Sequence, residues 1–516
     1  MAGTFASTVI GAILVIIIAR LLGPAGYGLY TLSFVLPALF ATIADLGLSP
    51  ALTRYGASLR SQQKYGRLAD MIGSGLLFNL GVGLAASLLA FALSNHLAAS
   101  VLQRQDMGRL VALASVTILF QGLFNLTYNA LIGLDRMGQG AMMLVLRDTV
   151  RVILSPLLII VGFGVAGAIS GQILGWVLAS AVGVWMLLAY RQIFRNNPQE
   201  TVMEKRRARH IETMMRYGLP VYLGTLVSSL LLQYQNIVLA FFTTNTEIGN
   251  YSAARNFGLL IGILATPVAT ALFPAFSKLD LETRKKELQI MFENSVKYTA
   301  LLIIPLAVFV AVASRDLIRV IYGVAYSYAA MYLTLYVGIF LLAGIGSQVT
   351  GAFLNGVGRT KVTLMIALVQ LAVFLPAAPL MAWVYGVPGM IVALMLASLI
   401  STSFGLWLAT GRYGMRVDLV GSFLTLACAL TSALPVLPIV YYSTLPSLAK
   451  VILAGLVYLA AFLTLAPLFR AVKRTDVQTL ASILGQIKIL KPVTSLVFGY
   501  ELHVLDVLQS RKTGED

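Results

Sequence analysis

Long apolar runs dominate this 516-residue sequence and limit the folds that it can adopt. About fourteen such runs, separated by polar breaks, approach or exceed the ~20 residues that an α-helix needs to cross a bilayer. Charged residues make up only 11% of the chain, against roughly 25% in a soluble protein. The sequence therefore predicts an all-α, polytopic membrane protein, since an outer-membrane barrel would show short alternating segments instead. The predicted spans are 2–21, 31–54, 71–94, 108–133, 140–162, 166–190, 217–242, 250–277, 294–314, 326–355, 360–384, 388–410, 419–442 and 447–470.

Lysine and arginine are concentrated in alternate loops, after every second predicted span and in the C-terminal tail. Because cytoplasmic loops carry the excess of these residues, both termini are predicted to be cytoplasmic. The net charge of +17 follows from this bias, so we expect membrane lipid and no nucleic acid as a partner. The basic clusters include Arg60, Lys64 and Arg67; Lys205, Arg206, Arg207 and Arg209; Arg284, Lys285 and Lys286; and Arg470, Lys473 and Arg474.

The two halves of the chain match at a shift of about 221–224 residues. Each copy holds six predicted spans, an even number, so both copies point the same way across the membrane. Such parallel repeats are related by an axis along the membrane normal and are typical of transporters with two lobes around a cavity. The matches include "GTFASTVIG" (3–11) with "GTLVSSLLL" (224–232), Gly28 and Tyr30 with Gly249 and Tyr251, and "GFGVAG" (162–167) with "VYGVPG" (384–389).

The repeat predicts the division of the chain into domains. Two six-helix lobes are expected at 1–190 and 217–411, joined by a basic cytoplasmic linker at 191–216. Two extra helices follow at 412–472, and the tail at 473–516 is predicted to be an amphipathic cytoplasmic segment. The stretch that precedes the second copy has no counterpart before the first. We therefore expect a truncated or late-starting first helix.

Three charged residues lie inside the predicted span 140–162, in the stretch "LRDTVRVILSPLLII". A charge at mid-membrane costs at least ~2.5–3.5 kcal/mol and indicates a partner or a polar cavity. Arg147 and Arg151 are four residues apart and share a helix face, and Asp148 precedes Arg151 by three. The repeat-related positions, near Gln370, carry no charge. Two interpretations stay open: arginines paired for structure, or a site that binds the phosphate of a substrate.

Other polar residues in the spans extend the list of candidates. Arg255 lies just below the predicted outer surface and is either an interfacial anchor or a cavity residue. Asp45, in "ADLGL", either pairs with an arginine or binds a coupling cation or proton. Each of four amide side chains is suited to a hydrogen bond between helices. Taken together, the four would suit a cavity that holds a sugar. They are Asn125, Asn129, Gln233 and Asn236.

The stretch "ARLLGPAGYGLYTLSFVLPALFATIADLGLSPALTRYGA" (19–57) carries a family resemblance. It resembles Wzx-like flippases of the multidrug/oligosaccharidyl-lipid/polysaccharide (MOP) exporter superfamily, as does the "GFGVAG" turn. The resemblance implies a multi-pass cell-membrane protein that moves an isoprenoid-(di)phosphate-linked oligosaccharide from the cytoplasmic to the outer leaflet by alternating access. It also implies a role in polysaccharide biosynthesis, beside other glycan-assembly membrane proteins.

Several alternatives remain within this framework. A lipid II-type flippase has the same phosphate chemistry, and a cation-coupled multidrug exporter belongs to the same superfamily. An enzyme is not expected, because no large loop carries a cluster of catalytic carboxylates or histidines. We expect no cofactor and no metal, since His96, His210 and His503 are far apart in the sequence. The single cysteine, Cys428, excludes an internal disulfide.

Overall fold

The computed structural model describes residues 2–195, 207–277, 284–469, 471–472, 474, 476–478 and 499–500. Every regular element in these ranges is helical, which confirms the all-α class. The chain divides into two compact units, Met1–Ser252 and Ala253–Asp516. The boundaries of the predicted lobes, linker, extra helices and tail stay predictions.

The first unit consists of nine helices and the beginning of a tenth, counted over the described residues. Its main core packs buried side chains of α3, α4, α6 and α8 around Phe124 and Trp176. The helices are α1 (Ala2–Ser33), α2 (Val35–Asp45), α3 (Leu48–Ser61), α4 (Tyr65–Ala92), α5 (Ser94–Ser100), α6 (Gly108–Gly133), α7 (Met137–Leu158), α8 (Gly164–Arg195), α9 (Arg207–Phe242) and α10 (Asn245–Ser277).

Residues with positive φ follow the first predicted span and interrupt the second. Gly23 has φ 66° and ψ 176° and is followed by Pro24, so α1 bends where the apolar run of span 2–21 ends. Leu46 (φ 47°) and Gly47 (φ 79°) separate α2 from α3, which divides the predicted span 31–54. Two consecutive left-handed residues cannot continue an α-helix, so the second span is a broken helix.

The second unit contains the remaining helices of the described chain. Its cores lie around Tyr458 and Phe462 and around Phe292 and Phe353. The helices are α11 (Lys285–Ile321), α12 (Ala329–Val337), α13 (Thr350–Gly356), α14 (Thr360–Gly411), α15 (Leu419–Ala433), α16 (Leu437–Tyr442) and α17 (Ser447–Leu468). A 3-10 segment, Gly338–Ile345, precedes α13, and the two stretches Ala329–Ile345 and Thr350–Gly356 are bent by 48°.

The two repeat-related glycine motifs both mark breaks between spans. In "GFGVAG", a π-helical turn follows α7, and Gly162 (φ 108°) and Gly164 (φ 52°) lead into α8. In "VYGVPG", Gly386 (φ 60°) interrupts α14 at the boundary between the predicted spans 360–384 and 388–410. Positive φ favours glycine because a Cβ crowds the following carbonyl. The turns predicted from sequence are therefore present in both units.

Eight helical segments of the described chain are long and apolar enough to cross a membrane, or nine if the bent pair counts as one span. Several of these segments contain two predicted spans, for example Met137–Phe194 and Thr360–Gly411. The multi-pass membrane class is thus confirmed, and the count of fourteen stays a prediction. Most of the predicted tail, at 479–498 and 501–516, lies outside the described residues, as does 196–206 of the predicted linker.

Candidate functional site: two arginines on one buried aspartate

The charged cluster lies on α7, midway along a segment that packs between α1 and α8. This helix begins after Arg136 and tolerates Pro156 near its end, where the π-helical turn takes over. Residues Arg147, Asp148 and Arg151 follow within one turn of each other. The helix therefore presents all three side chains close together, between α1 and α8.

Asp148 accepts hydrogen bonds from three side chains. Its carboxylate is only 2% exposed. Arg147 donates from Nε to Oδ1 at 2.9 Å and from Nη2 to Oδ2 at 2.8 Å, and Arg151 donates from Nη1 to Oδ1 at 2.8 Å. The Ser7 hydroxyl of α1 donates to Oδ2. Two full positive charges on one carboxylate leave the cluster with one excess positive charge.

Two aromatic rings hold the guanidinium of Arg147. Its Cζ lies 5.1 Å from the ring centroid of Phe124 on α6 and 4.8 Å from that of Trp176 on α8. The two rings are themselves in edge contact, with centroids 5.1 Å apart. Arg147 is thus fixed on three sides by a bidentate carboxylate and two π faces, rather than extending toward the membrane surface.

Arg151 is less completely satisfied than Arg147. Its side chain is 15% exposed and runs against Gly175 of α8, where a Cβ would overlap the arginine stem. Its Nε is buried and has no hydrogen-bond partner among the described residues. Tyr30 lies near Arg151, and its hydroxyl donates to Gln172 Oε1 at 3.3 Å. Arg151 therefore has a buried donor, Nε, that no described residue uses.

The structure does not bring Asp45 into this cluster. Asp45 ends α2 and accepts a hydrogen bond from the Ser49 hydroxyl one turn later. None of the ion pairs found among the described residues involves Asp45. The carboxylate lies at the break in the second span, next to the left-handed pair Leu46 and Gly47.

The four amide candidates bond to one another or to neighbouring helices. Asn129 Nδ2 donates to the Asn125 carbonyl at 2.8 Å, and Asn129 Oδ1 accepts from Thr53 of α3 at 3.2 Å. On α9, the Asn236 Nδ2 donates to Gln233 Oε1 at 3.3 Å. Asn236 is buried, whereas the other three are half-buried.

Arg255 belongs to the second unit and lies on α10 near Tyr336. Its Nε is buried.

Sequence reasoning missed the residues that complete the α7 cluster. Ser7, Phe124, Trp176, Tyr30 and Gln172 come from three other helices, far away in the chain. A serine or an aromatic residue in an apolar span carries no signal by itself, because both are common there. Only the deep charges indicated that such partners had to exist.

The family of the chain follows from its sequence match. Residues 1–280, more than half of the chain, match the family described as "Polysaccharide biosynthesis protein". This chain belongs to the polysaccharide biosynthesis protein family. A relative from Escherichia coli (strain K12), "Lipopolysaccharide biosynthesis protein WzxC", is 22% identical over 399 residues, 76% of each chain. The resemblance to Wzx-like proteins is thereby confirmed.

Solved structures show the same fold. "Lipid II flippase MurJ, inward closed conformation" matches with a TM-score of 0.72 at 16% identity, over 90% of this chain and 98% of that chain. An inward-facing "multidrug resistance MATE family transporter of the MOP superfamily" matches with a TM-score of 0.66 at 16% identity, over 78% of this chain and 94% of that chain. At these identities the likeness establishes the fold alone.

Proposed function

We propose that this chain is a flippase for an isoprenoid-(di)phosphate-linked oligosaccharide. It moves the lipid-linked sugar from the cytoplasmic to the outer leaflet of the plasma membrane by alternating access, and so supplies the assembly of cell-surface polysaccharide or glycan. Both termini are then cytoplasmic, and other glycan-assembly membrane proteins are its neighbours. Family membership, the name of the E. coli relative and the MOP fold support this proposal.

The excess positive charge of the α7 cluster is the observation that carries the proposal. A phosphate crossing the membrane needs positive charge in a place that water does not screen, and arginine donates to phosphate oxygens in a planar, bidentate arrangement. The unused Nε of Arg151 supplies a donor without breaking the bond between Nη1 and Asp148. In this proposal Arg151 contacts the phosphate, and Asp148 positions it.

The remaining candidates have supporting roles. Arg147 is held by Phe124 and Trp176, so it contributes charge to the site more than a mobile contact. Arg255 is proposed as a second anion contact. Asp45, with no ion pair in the described chain, is proposed as the coupling carboxylate. The amides Asn125, Asn129, Gln233 and Asn236 are proposed to face the sugar.

A lipid II-type flippase is the second candidate, since the MurJ fold matches over 98% of the MurJ chain. Its substrate carries the same diphosphate, so the α7 cluster serves either sugar. A multidrug exporter for cationic drugs fits the site less well. Such a drug needs an accessible carboxylate, whereas Asp148 is 2% exposed and already binds two arginines. The relatives named above act as transport or biosynthesis proteins, and we propose transport without catalysis.

Leaflet exchange in proteoliposomes tests the proposal. A fluorescent short-chain polyprenyl-diphosphate sugar is followed by its accessibility to an external quencher, in parallel with the lipid II headgroup. We expect exchange by the wild type and strong loss in Arg151→Ala. Arg109→Ala, which removes an exposed arginine from a loop-proximal position, is the matched control and should exchange normally. Absence of exchange by the folded wild type with either headgroup would overturn the proposal.

A further inference from the structure

Two glycine pairs bring helix backbones into direct contact within the first unit. Gly28 of α1 lies against Gly249 of α10, and Gly47, at the start of α3, lies against Gly218 of α9. All four glycines are buried. Each contact joins a helix of the first sequence repeat to one of the first two helices of the second repeat.

The Gly28–Gly249 contact leaves no room for a side chain. A Cβ on Gly28 would overlap the carbonyl of Asn245, and a Cβ on Gly249 would overlap the carbonyl of Pro24. Each Cβ would also lie 3.1 Å from the backbone nitrogen of the other glycine. The two glycines are repeat-related positions, so the chain meets its own copy here, as expected for a contact on the repeat axis.

The second contact, between the start of α3 and α9, has the same steric character. A Cβ on Gly218 would overlap the carbonyl oxygen of Gly47. Nearby, Tyr222 donates from its hydroxyl to the Thr42 carbonyl at 2.6 Å, and the Arg54 guanidinium lies 4.1 Å from the ring centroid of Tyr217. The predicted orientation places this contact toward the cytoplasm and the Gly28–Gly249 contact at the outer surface.

Polar groups at the outer contact are incompletely satisfied. Arg104 donates from Nη2 to the Thr243 carbonyl, yet its Nε is buried without a partner among the described residues. The Oδ1 of Asn245 and the hydroxyl of Ser252 are buried and unpartnered in the same part of the chain. Each such group costs free energy that hydration would recover. Separation of the helices at this contact would admit water to all three.

We propose that the two glycine contacts are the opposing gates of the transport path, with Gly28–Gly249 closing the outer side and Gly47–Gly218 the cytoplasmic side. The proposal rests on the proposed function, because alternating access requires one gate to open while the other stays closed. Close backbone contact lets each gate shut without a side chain in the way. Any side chain added at one gate therefore shifts the population toward the state in which that gate is open.

A single cysteine reports on the outer gate. Ser252→Cys, in a Cys428→Ala background, replaces a fully buried hydroxyl one turn beyond Gly249 with a thiol of similar size. A membrane-impermeant maleimide added to intact cells labels this thiol only when the outer gate opens. Overpacking of a close contact shifts such an equilibrium by about tenfold. We expect Gly28→Ala and Gly249→Ala each to raise the labelling rate by about tenfold.

Two matched glycine variants separate gating from general loosening. Gly11→Ala lies on α1, where a Cβ meets nothing within 4 Å, and should leave labelling unchanged. Gly218→Ala favours opening of the opposite gate and should lower labelling. The gate assignment is contradicted if Gly11→Ala or Gly218→Ala raises labelling as much as Gly28→Ala does. It is also contradicted if neither Gly28→Ala nor Gly249→Ala raises labelling.

A variant that adds no bulk keeps the test valid if the outer glycine variants do not fold. Arg104→Gln removes the bond to the Thr243 carbonyl and should raise labelling, whereas unchanged labelling would contradict the outer gate. The labelling needs no substrate. If the variants show this labelling pattern but the wild type shows no leaflet exchange, the proposed substrate is wrong and the gate assignment still holds.

Discussion

The span that holds Arg147, Asp148 and Arg151 in the first unit has a repeat-related counterpart in α14 of the second unit. In the first unit, a carboxylate 2% exposed accepts bonds from two arginines and a serine. In the second, Gln370 donates from Nε2 to the Ser398 hydroxyl at 3.1 Å, and no charge is present at the related positions. The same position of the repeat therefore carries charged residues in the first unit and neutral residues in the second.

The neutral residues in the second unit show that helices can pack at this position without a charged side chain. A hydrogen bond between Gln370 and a helix neighbour is enough to join two spans, at a net gain of about 0.5–1.5 kcal/mol. The charged residues in the first unit carry a large desolvation cost that only good geometry offsets. A structural role alone would not favour them. The difference between the two positions supports a function for the arginines that is specific to the first unit.

The largest expected effect comes from removing the shared carboxylate. Asp148→Asn leaves two largely buried arginines without a counter-charge, and breaking a buried ion pair costs up to about 3–5 kcal/mol. Thermal unfolding in detergent should show a large decrease in the melting temperature. Asp135→Asn is the control, since Asp135 is exposed and its pair with Arg60 contributes little. Equal melting temperatures for both variants would mean that the α7 cluster is not stabilised as described.

Placing a charge in the neutral copy sharpens the comparison. Gln370→Arg introduces an arginine with no carboxylate among its α14 neighbours, which should destabilise the protein by at least about 2.5–3.5 kcal/mol. The same unfolding measurement tests this, with Gln370→Leu as the uncharged control. A fully stable Gln370→Arg variant would show that a charge at this position has no free-energy cost. The cost of the charged residues would then not support a function for Arg147 and Arg151.

A smaller effect is expected from the serine that reaches Asp148 from α1. Ser7→Ala removes one hydrogen bond to an ionised carboxylate, worth about 1.5–3 kcal/mol. Two arginines still neutralise the aspartate, so the loss should be smaller than for Asp148→Asn. If chemical unfolding shows no change in the free energy of unfolding for Ser7→Ala, the hydrogen bond from α1 does not stabilise Asp148.

The neutral copy should show the smallest effect. Ser398→Ala breaks the bond from Gln370 between two uncharged groups, so a loss of about 0.5–1.5 kcal/mol is expected. The ratio of this loss to that of Ser7→Ala measures what the ionised carboxylate adds. If Ser398→Ala lowers the free energy of unfolding more than Ser7→Ala does, the hydrogen bond in the neutral copy is the stronger one, which contradicts the comparison.

Much of the fold followed from local sequence signals. Apolar runs predicted helices, and the predicted spans end near "GFGVAG" and "VYGVPG", where the structure has breaks at Gly162 and Gly386 with positive φ, which favours glycine. The i,i+3 spacing made a pair between Asp148 and Arg151 possible on one helix face. Each of these signals lies within a few residues of the feature that it predicts.

The rest of the site depends on contacts that no local signal contains. Ser7 reaches Asp148 across 141 residues of chain, and Trp176 reaches Arg147 only because α8 folds back after the glycine turn. The break at Leu46 was also missed, since leucine favours a helix and its left-handed conformation is imposed by its surroundings. Tertiary packing, rather than propensity, decided these features.

The proposed role of the α7 cluster is to bind the phosphate of the lipid-linked sugar. The most direct test compares leaflet exchange of two lipids that share tail and sugar but carry either a diphosphate or an uncharged linker. Wild type and Arg151→Gln, which makes this position neutral as in the second unit, are measured side by side. We predict that Arg151→Gln slows the diphosphate lipid by at least about tenfold, the loss of a charged hydrogen bond, and leaves the neutral lipid unchanged. Equal slowing of both lipids, or of neither, would contradict the claim.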